Sequence, residues 1–331
     1  MIDRTRILVT GGTGFVGSSI IAGIQNTNKY ELYNLSRNKT EIINSEHSEK
    51  QIQCDISDYN ALKKLEGLEN LEVIIHTAGL AHQFGKVSKV DFWRTNLLGT
   101  ENICRLAGKL QVRHLILISS VSVYGDHGEL EIDETFACNP VGFYAQSKLK
   151  AEQKALELCQ KSGIGLTILR LGTVIGEGDI GNVSRLIMLI DKNRFLWVGD
   201  GSNKKSLIYK KDVADCVIRL LETKKDNKPE VYNLTSVALS MKEIVAMISA
   251  NLKKKPISLK LPEKIIGKFF QLNEKTFSLK VLKKIENIVK KWLSNDIFSG
   301  KTLYENYGFM PQTPISEAIK RQVDSYLDKK K

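Results

Sequence analysis

Tyr144 and Lys148 stand four residues apart in Y-A-Q-S-K, a spacing that puts both side chains on one face of a helix. A phenol with an ordinary pKa of about 10 is a poor base at neutral pH, and a neighbouring ammonium lowers that value by stabilising the phenolate. Such a pair can exchange a proton with a sugar or alcohol hydroxyl. Ser120 follows the apolar run from Leu115 and supplies a hydroxyl that could hold the same oxygen. Taken alone, a tyrosine four before a lysine is equally a pair on a helix surface.

The stretch from Arg6 to Gly17, R-I-L-V-T-G-G-T-G-F-V-G, says what the proton transfer would accompany. Ile7, Leu8 and Val9 suit a strand buried on both faces, and a helical apolar pattern (Ile20, Ile21, Ile24) follows the glycines. Between strand and helix, Gly11 permits a tight turn, Gly14 lets a pyrophosphate approach the backbone, and Gly17 lets the helix pack closely. The backbone at Phe15 and Val16 opens that helix, where unpaired N–H groups and a partial positive charge favour phosphate. The alternative is an ordinary glycine-rich turn. Its place after a strand and before a helix points to a dinucleotide.

Strand and helix patterns then alternate, which predicts an α/β fold with a doubly wound parallel Rossmann sheet. Tyr30 to Leu35 reads as the second strand, followed by Ser36 and Arg37 where an acid would take the adenosine ribose hydroxyls. The missing acid tilts the cofactor from NAD towards NADP, because Arg pairs bidentately with phosphate. Gln51 to Cys54 is the third strand; Asp55 after it could accept from adenine or cap the next helix. The fourth strand, Val73 to His76, runs into the small residues Thr77, Ala78 and Gly79, against which the phosphate-ribose portion could lie. Asn96 is placed at the start of a helix carrying Leu97, Ile103 and Leu106, where its amide could hold backbone near the fourth strand or act as a cap. The helix with Tyr144 and Lys148 runs from Phe143 to about Lys161, and Leu166 to Leu171 is the sixth strand. Beyond Gly176 the pattern loosens. The expected division is a Rossmann domain over 1–175, with a late strand at 230–235 returning to the sheet, and a smaller, mainly helical substrate domain over 176–331.

The order of these motifs resembles an extended short-chain dehydrogenase/reductase of the NAD-dependent epimerase/dehydratase family. T-G-G-T-G-F-V-G, C-D-I from Cys54, H-T-A-G from His76, N-L-L-G-T from Asn96, S-S-V-S-V-Y-G from Ser119, Y-A-Q-S-K and L-R-L-G-T-V-I-G from Leu169 carry the likeness. G-D-G-S-N-K-K-S-L-I-Y-K-K-D-V-A from Gly199 and Y-G-F-M-P from Tyr307 extend it over nearly the whole chain. The resemblance implies that Ser120, Tyr144 and Lys148 form a catalytic triad, that Lys148 also touches the nicotinamide ribose, and that Asp55 and Ile56 flank adenine. Thr173 stands where sugar epimerases often carry an asparagine near the substrate diphosphate. Lys205 stands where many carry an arginine on it. Asn182 is a further substrate contact or a helix cap. The family's 4,6-dehydratases resemble one another in an Asp-Glu pair directly after the strand-end hydroxyl residue. Here Val121 and Ser122 take those places, which disfavours dehydration and leaves Ser122 to the substrate side. Asp133, Glu134 and His82 read as solvated surface.

The chain has 331 residues, five scattered cysteines without a C-x-x-C pair, and a net charge of +12. These features speak against a disulfide framework or a metal site and for a reducing compartment. No run approaches a membrane span and no apolar leader opens the chain, so a cytoplasmic protein is expected. The positive charge fits a phosphorylated small molecule; few aromatics interleave the lysines, so no nucleic-acid partner is expected. Leu261 to Trp292 has apolar residues at helical spacing among lysines. Packing within the substrate domain is favoured there over an anionic membrane. The implied activity is a nucleotide-sugar C4 epimerase, on a UDP-hexose or UDP-N-acetylhexosamine, with transient oxidation by bound NAD or NADP. Alternatives are an NADPH-dependent 4-keto-sugar reductase and a non-catalytic NADP sensor. The family resemblance also implies a homodimer formed through the helices containing Asn96 and Tyr144.

Overall fold

The computed structural model describes residues 4–38, 49–81, 87–128, 130–223, 228–255, 260–261 and 292–330. The first part runs β1 (Thr5–Thr10), α1 (Phe15–Thr27), β2 (Tyr30–Ser36), β3 (Lys50–Gln53), α2 (Tyr59–Leu62), β4 (Leu71–His76), α3 (Lys89–Phe92), α4 (Gly99–Leu110), β5 (His114–Ser120), β6 (Glu131–Ile132), α5 (Phe143–Ser162) and β7 (Gly165–Leu171). It continues through β8 (Thr173–Ile175), α6 (Asn182–Asp191), β9 (Trp197–Val198), β10 (Lys204–Lys205), β11 (Leu207–Tyr209), α7 (Lys210–Glu222), β12 (Glu230–Leu234), β13 (Leu239–Ser240) and α8 (Met241–Leu252). It closes with β14 (Lys260–Leu261), β15 (Ile297–Phe298), α9 (Lys301–Tyr307) and α10 (Ile315–Asp328).

Seven strands form one parallel sheet in the order β12-β7-β5-β4-β1-β2-β3. Ile7, Leu8 and Val9 have no exposed surface, as a central strand covered on both faces requires. On one face Ile20, Ile21 and Ile24 of α1 meet Val213, Ala214 and Val217 of α7; on the other, Ile103 and Leu106 of α4 lie with Ala155 and Cys159 of α5. The chain leaves β1 in one direction and returns through β4 on its other side. That reversal opens a crevice at the strand ends where open α/β sheets take ligands. Residues of α6, α8 and α10 bury a separate apolar cluster around Ile187, Ile248 and Ile319.

Strands β1 to β5 and β7 stand within two residues of their predicted ends, and the late strand does return to the sheet edge. Asn96 differs. It does not open a helix: α3 passes into α4 through a π-helical stretch, Trp93–Leu98, and Asn96 lies buried inside it. His82 and residues 262–291, with most of the amphipathic stretch after Leu261, lie outside the described residues. No helix among the described residues is long and apolar enough to cross a membrane.

Candidate active site

The turn after β1 is closed by its own backbone: Gly11 N–H donates to Leu35 O at 2.8 Å, and Gly14 N–H donates to Gly11 O at 2.9 Å. Gly11 has φ +73°, and a Cβ there would lie 2.6 Å from Ala78 Cα. A Cβ on Gly17 would sit 2.7 Å from Thr77 Oγ1 and overlap Gly11 O. Only glycine fits either place. Gly14 caps α1 without a side-chain bond, and no acid stands in the helix's first turn. The first N–H groups, at Phe15 and Val16, therefore keep their anion-binding capacity.

Across the crevice, the end of β4 is gripped by Asn96. Leu80 N–H donates to Asn96 Oδ1 at 2.7 Å, and Asn96 Nδ2 donates to Leu80 O at 3.1 Å and to Ser147 Oγ at 3.0 Å. Ser147 Oγ in turn donates to Tyr144 O at 2.7 Å. The wider π turn aims this amide inward, as such turns do near functional sites. A Cβ on Gly79 would lie 3.1 Å from Asn96 Oδ1 and 3.3 Å from Lys148 Nζ. The crevice floor at Gly79 is thus shaped for a close-lying ligand flanked by an amide and an ammonium. That cradle and the uncapped helix start fit a dinucleotide.

Ser120 ends β5, and its Oγ accepts from Ser122 N at 3.2 Å. Tyr144 and Lys148 face it from α5. The Ser120 hydroxyl also hydrogen-bonds the Tyr144 phenol, and Lys148 Nζ donates to Ile118 O at 3.0 Å. Burial pushes the Lys148 ammonium down to about 8, partly opposed by the charge of Glu152. Burial likewise raises the Tyr144 phenol, against the bond from Ser120. The expected lowering of that phenol by its lysine is not found, because burial outweighs it and the ammonium is turned to a backbone carbonyl.

Glu152 escaped sequence reading. It lies one turn beyond Lys148 on the same face of α5, a helical spacing that could have found it. Ser119 Oγ donates to Glu152 Oε1 at 2.5 Å, and Arg170 Nη2 donates to Glu152 Oε2 at 2.7 Å. Both members of this ion pair are under a tenth exposed. Arg170 also stacks over the Tyr124 ring at 4.8 Å, and Tyr124 Oη donates to Asn233 Oδ1 at 2.8 Å. The helix bearing Tyr144 and Lys148 is therefore bolted to β5, β7 and β12 together.

Towards the other side of the sheet, Ser36 Oγ donates to Asn38 O at 2.6 Å and Arg37 is exposed, with no ion pair among the described residues. Asp55 accepts from Ser57 N at 2.9 Å and from Arg94 Nη2 at 3.0 Å. Burial pushes its carboxyl up, yet these bonds outweigh it and leave the net shift downward. Asp55 is not the helix cap; Asp58 is, accepting from Ala61 N. Ile56 is buried, with its carbonyl held by Asn102 Nδ2 at 3.0 Å.

The residues assigned to the substrate scatter more widely. Thr173 N–H donates to Ser206 O at 3.2 Å where β8 meets β11. Asn182 is the first residue of α6 and not its cap, which is Gly181, held by Asp179. Lys205 Nζ donates to Asp296 Oδ2 at 2.7 Å, so a diphosphate there would compete with a carboxylate. Ser122 Oγ is buried and, among the described residues, has no hydrogen-bond partner. Glu134 corrects the solvated reading: it accepts from Asn233 N at 2.7 Å and from Thr302 Oγ1 at 2.8 Å, bracing β12 against α9.

The model of the NAD dependent epimerase/dehydratase family matches residues 7–235. Human dTDP-D-glucose 4,6-dehydratase is 28% identical over 260 residues, covering 73% of this chain and 74% of that protein. UDP-glucose 4-epimerase of Vibrio cholerae is 25% identical over 334 residues, covering 97% and 95%. The structure of UDP-glucuronic acid 4-epimerase from Bacillus cereus in complex with NAD superposes with a TM-score of 0.78 at 20% identity, covering 99% of this chain and 100% of that one.

Proposed function

The chain belongs to the NAD-dependent epimerase/dehydratase family, and on that premise we propose that it is a nucleotide-sugar 4-epimerase acting on a UDP-hexose or UDP-N-acetylhexosamine. The observation that carries this reading is the meeting of Ser120, Tyr144 and Lys148 beside the Gly79 cradle and the glycine turn. The dinucleotide would be held by Gly11, Gly14, Phe15, Val16 and Gly17, by Thr77 to Gly79, and by Lys148. When bound, its nicotinamide supplies a reversible acceptor for hydride.

The chain's own residues do the rest. Tyr144 takes the proton of the sugar 4-hydroxyl and later returns it. Ser120 holds the same oxygen and the phenol in line. Lys148, fixed on Ile118 O, presents positive charge to the site, where a phenolate would gain from it. Val121 and Ser122 supply no acid–base pair for removing water, and Ser122 is assigned to the substrate side. Thr173, Asn182 and Lys205 are assigned to the nucleotide-diphosphate side, and 176–331, apart from α7 and β12 that pack into the parallel-sheet layers, to the substrate domain. A cytoplasmic homodimer belongs to the same reading: Val90 and Phe143, on α3 and α5, are 70% and 50% exposed.

One observation favours a second reading. Ser36 ends β2 and Arg37 follows it, neither a carboxylate, and the exposed guanidinium suits a 2′-phosphate. An NADPH-dependent 4-keto-sugar reductase would use the same triad once. Denaturing the purified protein and identifying the released nucleotide separates the two. Retained NAD supports the epimerase. An empty protein that binds NADPH more tightly than NADH supports the reductase, and an inability to bind either dinucleotide refutes both.

A further inference from the structure

His76 ends β4 with 1% of its surface exposed and both ring nitrogens engaged. Nδ1 lies 2.6 Å from Thr10 Oγ1, and Nε2 lies 3.0 Å from Thr100 Oγ1. The neighbouring bonds decide which partner gives the proton. Thr100 has one hydroxyl hydrogen and donates it to Asn96 O at 2.6 Å. At His76 its oxygen can therefore only accept, so Nε2 carries the hydrogen. Nδ1 of a neutral ring then accepts, and Thr10 Oγ1 donates to it. Thr10 Oγ1 keeps its lone pairs for Ala78 N–H, which donates to it at 3.3 Å. Burial, reinforced by the facing charge of Lys148, pushes the imidazole down to about 3 and keeps it neutral.

We propose that His76 is a positioning residue of the dinucleotide site: as a neutral imidazole protonated on Nε2, it ties the glycine turn after β1 to the helix that aligns Tyr144. The proposal rests on the dinucleotide reading above. Each bond in the row has one direction. Ala78 N–H donates to Thr10, Thr10 to His76, His76 to Thr100, and Thr100 to the backbone of Asn96. The Asn96 side chain then continues through Ser147 to the Tyr144 carbonyl. Thr10 immediately precedes Gly11, so one end of the row is the pyrophosphate turn. The other end is the catalytic helix. The Asn96 carbonyl can only accept, so Thr100 must give its single hydrogen there, and that fixes the direction of the bond from His76 Nε2.

Thr100→Val removes the acceptor of Nε2–H without changing side-chain shape. The ring should then move its proton to Nδ1 and donate to Thr10 Oγ1, leaving the Thr10 hydrogen without its acceptor beside Gly11. The test is NMR of the cofactor-free protein labelled with ¹⁵N and ¹³C in histidine, with the His76 signal assigned by its loss in His76→Gln. Wild type should show the Nε2–H tautomer throughout pH 5 to 8. Thr100→Val should show Nδ1–H and an NAD dissociation constant raised about five- to tenfold. Thr100→Ser should restore both.

An Nδ1–H tautomer in wild type, or titration of His76 within that range, overturns the proposal even if Thr100→Val does not fold. Unchanged NAD affinity in a folded Thr100→Val overturns the coupling while leaving the functional reading intact. Failure of wild type to bind either dinucleotide overturns both.

Discussion

Lys148 gives its ammonium to the carbonyl of Ile118 at 3.0 Å, and its pairing with Tyr144 is indirect. The phenol is held by Ser120, two residues further along β5. One strand end therefore aligns both groups, and the two side chains of α5 are registered against β5 and not against each other. This suits a site that must keep its geometry while charge moves through it.

Removing only the phenolic oxygen tests the proton transfer. Tyr144→Phe should lose about 10²–10⁴ in kcat. Its dinucleotide content should match wild type, since the helix and Lys148 remain. Turnover with the accepted nucleotide sugar and nucleotide release on denaturation are the two measurements. Wild-type turnover in this variant would remove the mechanism.

The Lys148 ammonium is a cost to the fold. Its pKa in the folded protein is about 8 against an ordinary 10.5. Between these values the unfolded chain holds a proton that the folded one lacks, so stability rises with pH across that window and the full cost is present below it. The cost is about 3 kcal/mol. Lys148→Met should remove the slope between about pH 8 and 10. Near pH 7 it should be more stable by about 1–2 kcal/mol, because an unpaired Ile118 carbonyl takes back part of the gain. Denaturant unfolding of the cofactor-free proteins at several pH values checks the sign.

Glu152→Gln leaves Arg170 buried without its counter-charge. A loss of about 3–5 kcal/mol is expected. Replacing both by apolar residues of similar volume should cost much less, because no buried charge remains. Chemical denaturation of the single and double variants measures the difference, and equal losses would show that packing alone matters there.

Arg37→Ala bears on the adenosine end. If the guanidinium meets a 2′-phosphate, NADPH affinity should fall about tenfold or more, with NADH affinity unchanged. Calorimetric titration of both nucleotides decides it. Equal effects on the two would place Arg37 away from the ribose.

The parallel sheet, the glycine turn and the Tyr144–Lys148 face were legible because each follows from local pattern: buried β-branched runs, a φ only glycine tolerates, a four-residue helical spacing. What was not legible depends on partners distant in sequence. Lys205 is matched by Asp296 and Glu134 by Asn233 and Thr302, contacts that periodicity cannot reveal. The π turn at Asn96 was missed because its extra residue changes the face count within an otherwise helical run. The phenol's raised pKa depends on how far it is buried and where the ammonium turns, neither of which spacing determines.

The edge strand β12 has a consequence for synthesis. Asn233 receives the Tyr124 hydroxyl and donates its side-chain amide to Ile132 O at 3.2 Å, so the late strand completes contacts begun about a hundred residues earlier. On the ribosome, β7 emerges with a bare edge and waits for nearly sixty more residues before its neighbour exists. A fragment ending at residue 175 would keep that edge open and deprive Tyr124 of Asn233 and Glu134 of Asn233 and Thr302. The nascent chain therefore passes through an interval in which the strands β1 to β7 are synthesised but the sheet is not closed, and in which an unrelated strand could pair with β7 in place of β12.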